Sequence, residues 1–208
     1  MDHDSAPLSM AEIARIARRL DRPVVLVGMM GVGKTTVGRK LASLLDVPFI
    51  DADEEIERAA QMPIPEIFAT YGEPYFRSGE RRVIARLLDG ALLDGARPDG
   101  ARPDGATPAR RKVLATGGGA FVDADTRALI LDKAVSVWLD SDIDTLVERV
   151  GRKDNRPLLR GGNPRAILTR LREERRPAYQ QAAIHITSGN LPHGVTAGRI
   201  LKAIDAWL

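Results

Sequence analysis

The chain has 208 residues, 44% of them hydrophobic and 28% charged, enough for one sizeable α/β domain with its own core. It contains no cysteine, which excludes disulfide frameworks, thiol chemistry and zinc–thiolate sites. The net charge of +3 is mild, acids and bases are interspersed, aromatics are only 4% and no apolar run approaches the roughly 20 residues of a membrane span, so neither a nucleic-acid nor a membrane partner is expected. The acidic, polar opening MDHDSAPLS does not resemble a secretory signal, and a cytoplasmic enzyme is the simplest expectation.

Residues 1–22 read as an extension ending in a short helix, with Ser9 and Glu12 forming an S-x-x-E capping box and Ile13, Ile16 and Leu20 an apolar stripe. A first strand is predicted at about 23–27 and a first crossover helix at about 35–45. A second strand at 47–51 leads into helical patterns over about 53–61, 64–71 and 73–89, with prolines 63, 65 and 74 marking breaks. Residues 94–106, DGARPDGARPDGA, are a short tandem repeat whose composition supplies no core, and a solvated surface insertion is expected there. Strands at 113–116, 134–139 and 184–187 then alternate with helices at 123–133, 142–150, 164–176 and 194–208. This alternation predicts a parallel sheet with right-handed crossovers.

Between the first strand and its helix, Gly28 to Thr35 reads GMMGVGKT and fits the phosphate-loop pattern G-x-x-x-x-G-K-[ST] at every fixed position. Strand, glycine loop and helix together turn backbone N–H groups toward an anion. Lys34 is then placed to reach the β- and γ-phosphates, and the Thr35 hydroxyl to ligate Mg²⁺. The loop positions Gly31, Val32 and Gly33, with Thr36 just beyond, complete the expected nucleotide contacts.

Further candidates fall at predicted strand ends, the edge where open α/β sheets bind ligands. Asp51 and Asp53 end the second strand; they suit a Mg²⁺ ligand and an acceptor-positioning base, or Asp53 simply caps the helix that follows. Arg77, in YFRSGE, offers a fork for a carboxylate, or it is a surface residue paired with Glu80. The glycines at 117–119 let backbone approach a small substrate closely, or make a plain turn. The stretch 151–162 has the character of a lid, and Arg156 within it could stabilise a transferring phosphoryl group or be a solvated charge. Arg149 could stack on an adenine, and Arg175, before Pro177, could be a second carboxylate ligand.

In order, GMMGVGKT, DADEEIE, FRSGE, TGGGAF, R-x₆-RPLL and ERRPAY resemble the shikimate kinase family over about residues 23–190. The resemblance implies a three-layer phosphate-loop kinase domain over 23–208, with a five-stranded parallel sheet of order 2-3-1-4-5, helices on both faces and a mobile lid. It implies transfer of the ATP γ-phosphoryl group to the 3-hydroxyl of shikimate, with Mg²⁺, on the route to chorismate and the aromatic amino acids, by a monomer. It also implies roles: Lys34 at the phosphates, Thr35 and Asp51 at Mg²⁺, and Asp53 at the substrate hydroxyls as base. Arg77 and Arg175 would hold the substrate carboxylate, with Gly118 and Gly119 giving backbone contacts and Glu80 orienting the substrate arginine. Arg156 would be the lid arginine and Arg149 the adenine-stacking residue. Aligning R-x-P with RRP leaves Arg176 as an alternative to Arg175. A gluconate kinase-like small-molecule kinase is the rival enzyme reading, and a nucleotide switch without an acceptor would need neither DAD nor GGG.

Overall fold

The computed structural model describes residues 8–89, 111–151 and 162–208. Five parallel strands form one sheet in the order β2-β3-β1-β4-β5: β1 Val24–Val27, β2 Phe49–Asp51, β3 Val113–Ala115, β4 Val135–Asp140 and β5 Ile184–Thr187. β1 sits at the centre, and its four apolar β-branched or aliphatic residues are completely buried, as a strand covered on both faces requires. Helices α2 Lys34–Leu45, α3 Ala52–Ala60, α4 Ile64–Leu88, α5 Ala124–Lys133, α6 Ile143–Val150, α7 Pro164–Tyr179 and α8 His193–Trp207 follow the strands, after an opening helix α1 Met10–Arg19. Among the described residues no helix is long and apolar enough to cross a membrane.

The extension is part of this core. The capping box forms at Ser9 and Glu12, and Ile13, Ile16 and Leu20 bury with the strand residues. Arg15 and Arg19 reach Asp205 of α8 at 2.6 and 2.7 Å, on the rim of that contact.

The helices expected over 64–71 and 73–89 both form within α4, separated by the non-helical backbone of Gly72 (φ 77°, ψ 173°) just before Pro74. One helical prediction changes in detail. α7 continues through Pro177 to Tyr179 instead of stopping at 176, because a proline in the last turn forfeits one hydrogen bond and the neighbouring bond from Gln180 N to Arg176 O (2.9 Å) still forms. That extra turn carries Tyr179 onto the face of Arg175. The repeat at 94–106 lies outside the described residues, as does most of the predicted lid.

The register positions the site. Leu26 of β1 and Asp51 of β2 are both paired with Ala115 of β3, so three strands end at one level. The segments that leave them, 28–33, 52–53 and 116–119, rise side by side from the carboxyl edge of the sheet.

Candidate active site

The loop after β1 needs glycine at three positions for conformational reasons. Gly28, Gly31 and Gly33 have φ of 134°, 82° and 98°, positive values that other residues adopt at a cost. Gly33 is the N-cap of α2 and no side chain caps that end, so the first amides of the helix stay available to an anion. Lys34 folds back over the loop, donating from Nζ to the carbonyls of Gly28 (2.8 Å) and Met29 (3.0 Å). Val32 is buried beneath the loop and Thr36 is exposed at its rim.

Thr35 Oγ1 donates to Asp51 Oδ2 at 2.9 Å. Asp51, not Asp53, is the cap of α3: its Oδ1 accepts from Asp53 N at 3.1 Å. The strand ends at Asp51 with extended backbone, so its carboxylate reaches the first free amide while Asp53 already belongs to the helix. Asp53 is thereby turned to the glycine run, where a methyl group placed on Gly117 would lie 2.8 Å from its Oδ1. The two carboxylates share the site because the strand ends between them. Thr35 and Asp51 offer two hard oxygen donors, which suits Mg²⁺, an ion that keeps waters and substrate phosphate oxygens for the rest of its shell. Among the described residues no group of three or more acidic or imidazole side chains could hold a metal without such help.

Across the cleft each glycine of 117–119 faces a different charged side chain. Gly117 lies against Asp53 and Glu80, a methyl there being 3.0 Å from Glu80 Oε1. Gly118 lies against Arg175, whose Nη1 donates to the Gly118 carbonyl at 3.0 Å. Gly119 lies so close under the Arg77 guanidinium that any Cβ would collide with it. These glycines are required for space.

Arg77 donates to the buried Glu80 at 2.7 Å and, through Nε and Nη2, to the exposed Glu73 at 3.2 and 2.9 Å. Its guanidinium also lies 5.2 Å from the Phe76 ring centroid, so it is a held, partly buried group and not a loose surface charge. Burial pushes the Glu80 carboxyl above its usual range, against the pull of Arg77, and Asp53 adds to the rise. Arg175 is buried with its head on Gly118, whereas Arg176 is exposed. The geometry therefore brings Arg175, and not its neighbour, to the glycine run.

A cavity of about 420 Å³ joins the two sides, lined by the phosphate loop, Thr35, Asp51, Asp53, Gly117, Gly118, Arg149 and His193. Arg149 is anchored by bonds from Nη1 to Val32 O (3.3 Å) and Nη2 to Gly189 O (2.9 Å), at the outer end of the loop. Arg156 lies outside the described residues.

A model of the family described as shikimate kinase matches residues 30–93 and 106–205, breaking off across the tandem repeat. The chain belongs to the shikimate kinase family. A shikimate kinase of Novosphingobium aromaticivorans is 70% identical over 208 residues, all of both chains. One of Caulobacter vibrioides is 54% identical over 183 residues, 88% of this chain and 82% of its own. Among solved structures, shikimate kinase from Acinetobacter baumannii in complex with shikimate superposes with a TM-score of 0.77 at 36% identity, covering 89% of this chain and 93% of that one. Membership in the shikimate kinase family makes the chain an ATP-dependent kinase of an alcohol acceptor, with Mg²⁺ as the accompanying cation.

Two residues at the site carried no role in the sequence reading. Tyr179, inside ERRPAY, donates its hydroxyl to the Gly118 carbonyl. Its position one helical turn beyond Arg175 was the available signal. His193 reaches the nucleotide end of the cavity only because α8 starts beside Gly33, a tertiary contact with no local signature.

Proposed function

We propose that this protein transfers the γ-phosphoryl group of ATP to the 3-hydroxyl of shikimate, giving ADP and 3-phosphoshikimate. The observation that carries the substrate assignment is the placement of two arginines, Arg77 and Arg175, on adjacent glycines of one strand end, with Asp53 beside them and the phosphate loop opposite. Such a site suits a small alcohol that bears a carboxylate. Gluconate also bears a carboxylate, so the arginine pair does not by itself separate the two acceptors; the 70% identity to a shikimate kinase over the full length favours shikimate.

In this reading the α2 amides and Lys34 hold the β- and γ-phosphates, exchanging the carbonyls that Lys34 now contacts for phosphate oxygens. Arg149 packs on the adenine, and Arg156 attends the transferred group from the segment 151–162. Thr35 and Asp51 would hold Mg²⁺, which would neutralise phosphate charge. Arg77 and Arg175 bind the substrate carboxylate; the exposed Glu73 occupies the Arg77 edge that this carboxylate takes, and a surface ion pair is readily exchanged. Glu80 keeps the Arg77 fork aimed. Asp53 positions the acceptor hydroxyl and accepts its proton as the new O–P bond forms and the β–γ bridging bond breaks, its electrons leaving with ADP. Most of the catalysis is positioning and charge stabilisation. A monomeric, cytoplasmic enzyme belongs to the same reading.

The test is a coupled ADP-release assay with ATP and Mg²⁺, comparing shikimate, gluconate and buffer. ADP release that depends on shikimate is the expected result. Release with gluconate alone would keep the fold and overturn the substrate, and ATP binding without acceptor-dependent release would overturn the kinase reading.

A further inference from the structure

Tyr179 is 1% exposed and lies at the end of α7, four residues beyond Arg175. Its hydroxyl and Arg175 Nη1 donate to the same oxygen, the Gly118 carbonyl, from residues 61 and 57 positions away in sequence. A carbonyl oxygen has two lone pairs, and this one has both engaged. The Tyr179 ring is itself fixed: it stacks on Trp138 of β4 with centroids 5.8 Å apart, and Trp138 stacks on His185 at 3.9 Å. The Trp138 edge borders Gly28, so the same aromatic slab touches the start of the phosphate loop. Gly118 in turn lies on that loop, where a methyl on it would be 3.3 Å from Met30 N. Burial pushes the Tyr179 hydroxyl up to about 12, so it stays a donor across the working range of pH.

A core tyrosine chosen for packing alone would need only its ring. Here the hydroxyl ends on the one carbonyl that also holds an arginine of the acceptor site. We propose that Tyr179 is a positioning residue for the acceptor: by sharing the Gly118 carbonyl with Arg175, it sets the direction from which the Arg175 guanidinium meets the substrate carboxylate. Tyr179 acts through Arg175 and does not itself touch the substrate. The inference rests on the reading of Arg175 as a carboxylate ligand given above.

The experiment is a double-mutant cycle on the full-length protein with Tyr179→Phe and Arg175→Ala, reading kcat and KM for shikimate and ATP, with thermal melts of each variant. Tyr179→Phe is expected to raise the shikimate KM about fivefold, the scale of one buried hydrogen bond, with kcat and ATP KM within about twofold of wild type. In the Arg175→Ala background the same substitution is expected to change kcat/KM for shikimate by less than about twofold, because its effect passes through the missing arginine. With shikimate methyl ester, which lacks the carboxylate, Tyr179→Phe is expected to have no effect. An unchanged shikimate KM, an equal loss in both arginine backgrounds, or a Tyr179→Phe protein that fails to fold would each assign the hydroxyl to the core and overturn the proposal. A wild-type protein inactive toward shikimate would instead overturn the functional reading, so the two failures are separable.

Discussion

Two glycine-bearing segments face each other across the cleft, and they use the residue for opposite reasons. In the phosphate loop, Gly31 and Gly33 supply backbone angles that the turn requires. In the run 117–119 no left-handed angle occurs, and the missing side chains make room for Asp53, Glu80, Arg175 and Arg77. The first segment is shaped by its own chain, and its chemistry comes from backbone amides. The second is a floor on which side chains from three other elements stand. Damage to the first should therefore appear in phosphate handling or in folding, and damage to the second in acceptor affinity.

The largest effect that sharpens this contrast is expected from Lys34→Ala. It should lower kcat by about 10³-fold or more, because the transferring phosphoryl group loses its cationic partner. Steady-state kinetics check this; a kcat within tenfold of wild type would break the assignment of the loop.

A paired glycine substitution tests the two reasons directly. A Cβ on Gly28 would run into the Leu139 backbone carbonyl, at a φ of 134° that other residues avoid. Gly28→Ala should therefore cost about 3 kcal/mol or more of stability, seen as a large drop in denaturant midpoint. A Cβ on Gly119 meets only the far end of the long Arg77 side chain, and no backbone. Gly119→Ala should keep the wild-type midpoint but raise the shikimate KM about tenfold as the arginine fork is pushed aside. Equal stability losses at both positions would erase the distinction.

Glu80 gives a smaller, pH-dependent effect. Its carboxyl holds a proton more tightly in the fold than the usual 4.5 of the free group, so its stabilising contribution is complete below that value and is lost as pH rises through the higher folded value. Glu80→Gln removes the ionisation. The melting temperature of the variant relative to wild type should rise steadily from pH 4 upward, while the shikimate KM worsens because Arg77 loses its anchor. A difference that is flat or falling with pH would contradict the burial of that carboxyl as the dominant influence.

The smallest effect is expected at Arg176. Exposed and turned from the glycine run, it should tolerate alanine with less than about a twofold change in shikimate KM, whereas Arg175→Ala should raise that KM at least tenfold. A reversed pair of results would move the second carboxylate ligand by one residue.

The phosphate loop, the parallel sheet and the burial of β1 were legible in the sequence, because each depends on short-range pattern: a fixed glycine spacing, strands alternating with helical periods, and an apolar β-branched run; the strand order followed only from the family resemblance. The break at Gly72 was legible too, from Pro74 and the helical patterns on either side of it. What the sequence left open was decided by long-range packing. Asp51 took the cap because the helix starts two residues earlier than a cap at Asp53 requires. Arg175 was chosen over Arg176 because α7, carried past Pro177, turns only one of two adjacent arginines inward. The assignment of Gly117, Gly118 and Gly119 to Asp53 with Glu80, to Arg175 and to Arg77 needed four elements to meet at one strand end. A run of glycines records that space is needed but not for which side chain, since the residues that fill it are tens of positions away and only the register of the sheet and the docking of α4 and α7 bring them there.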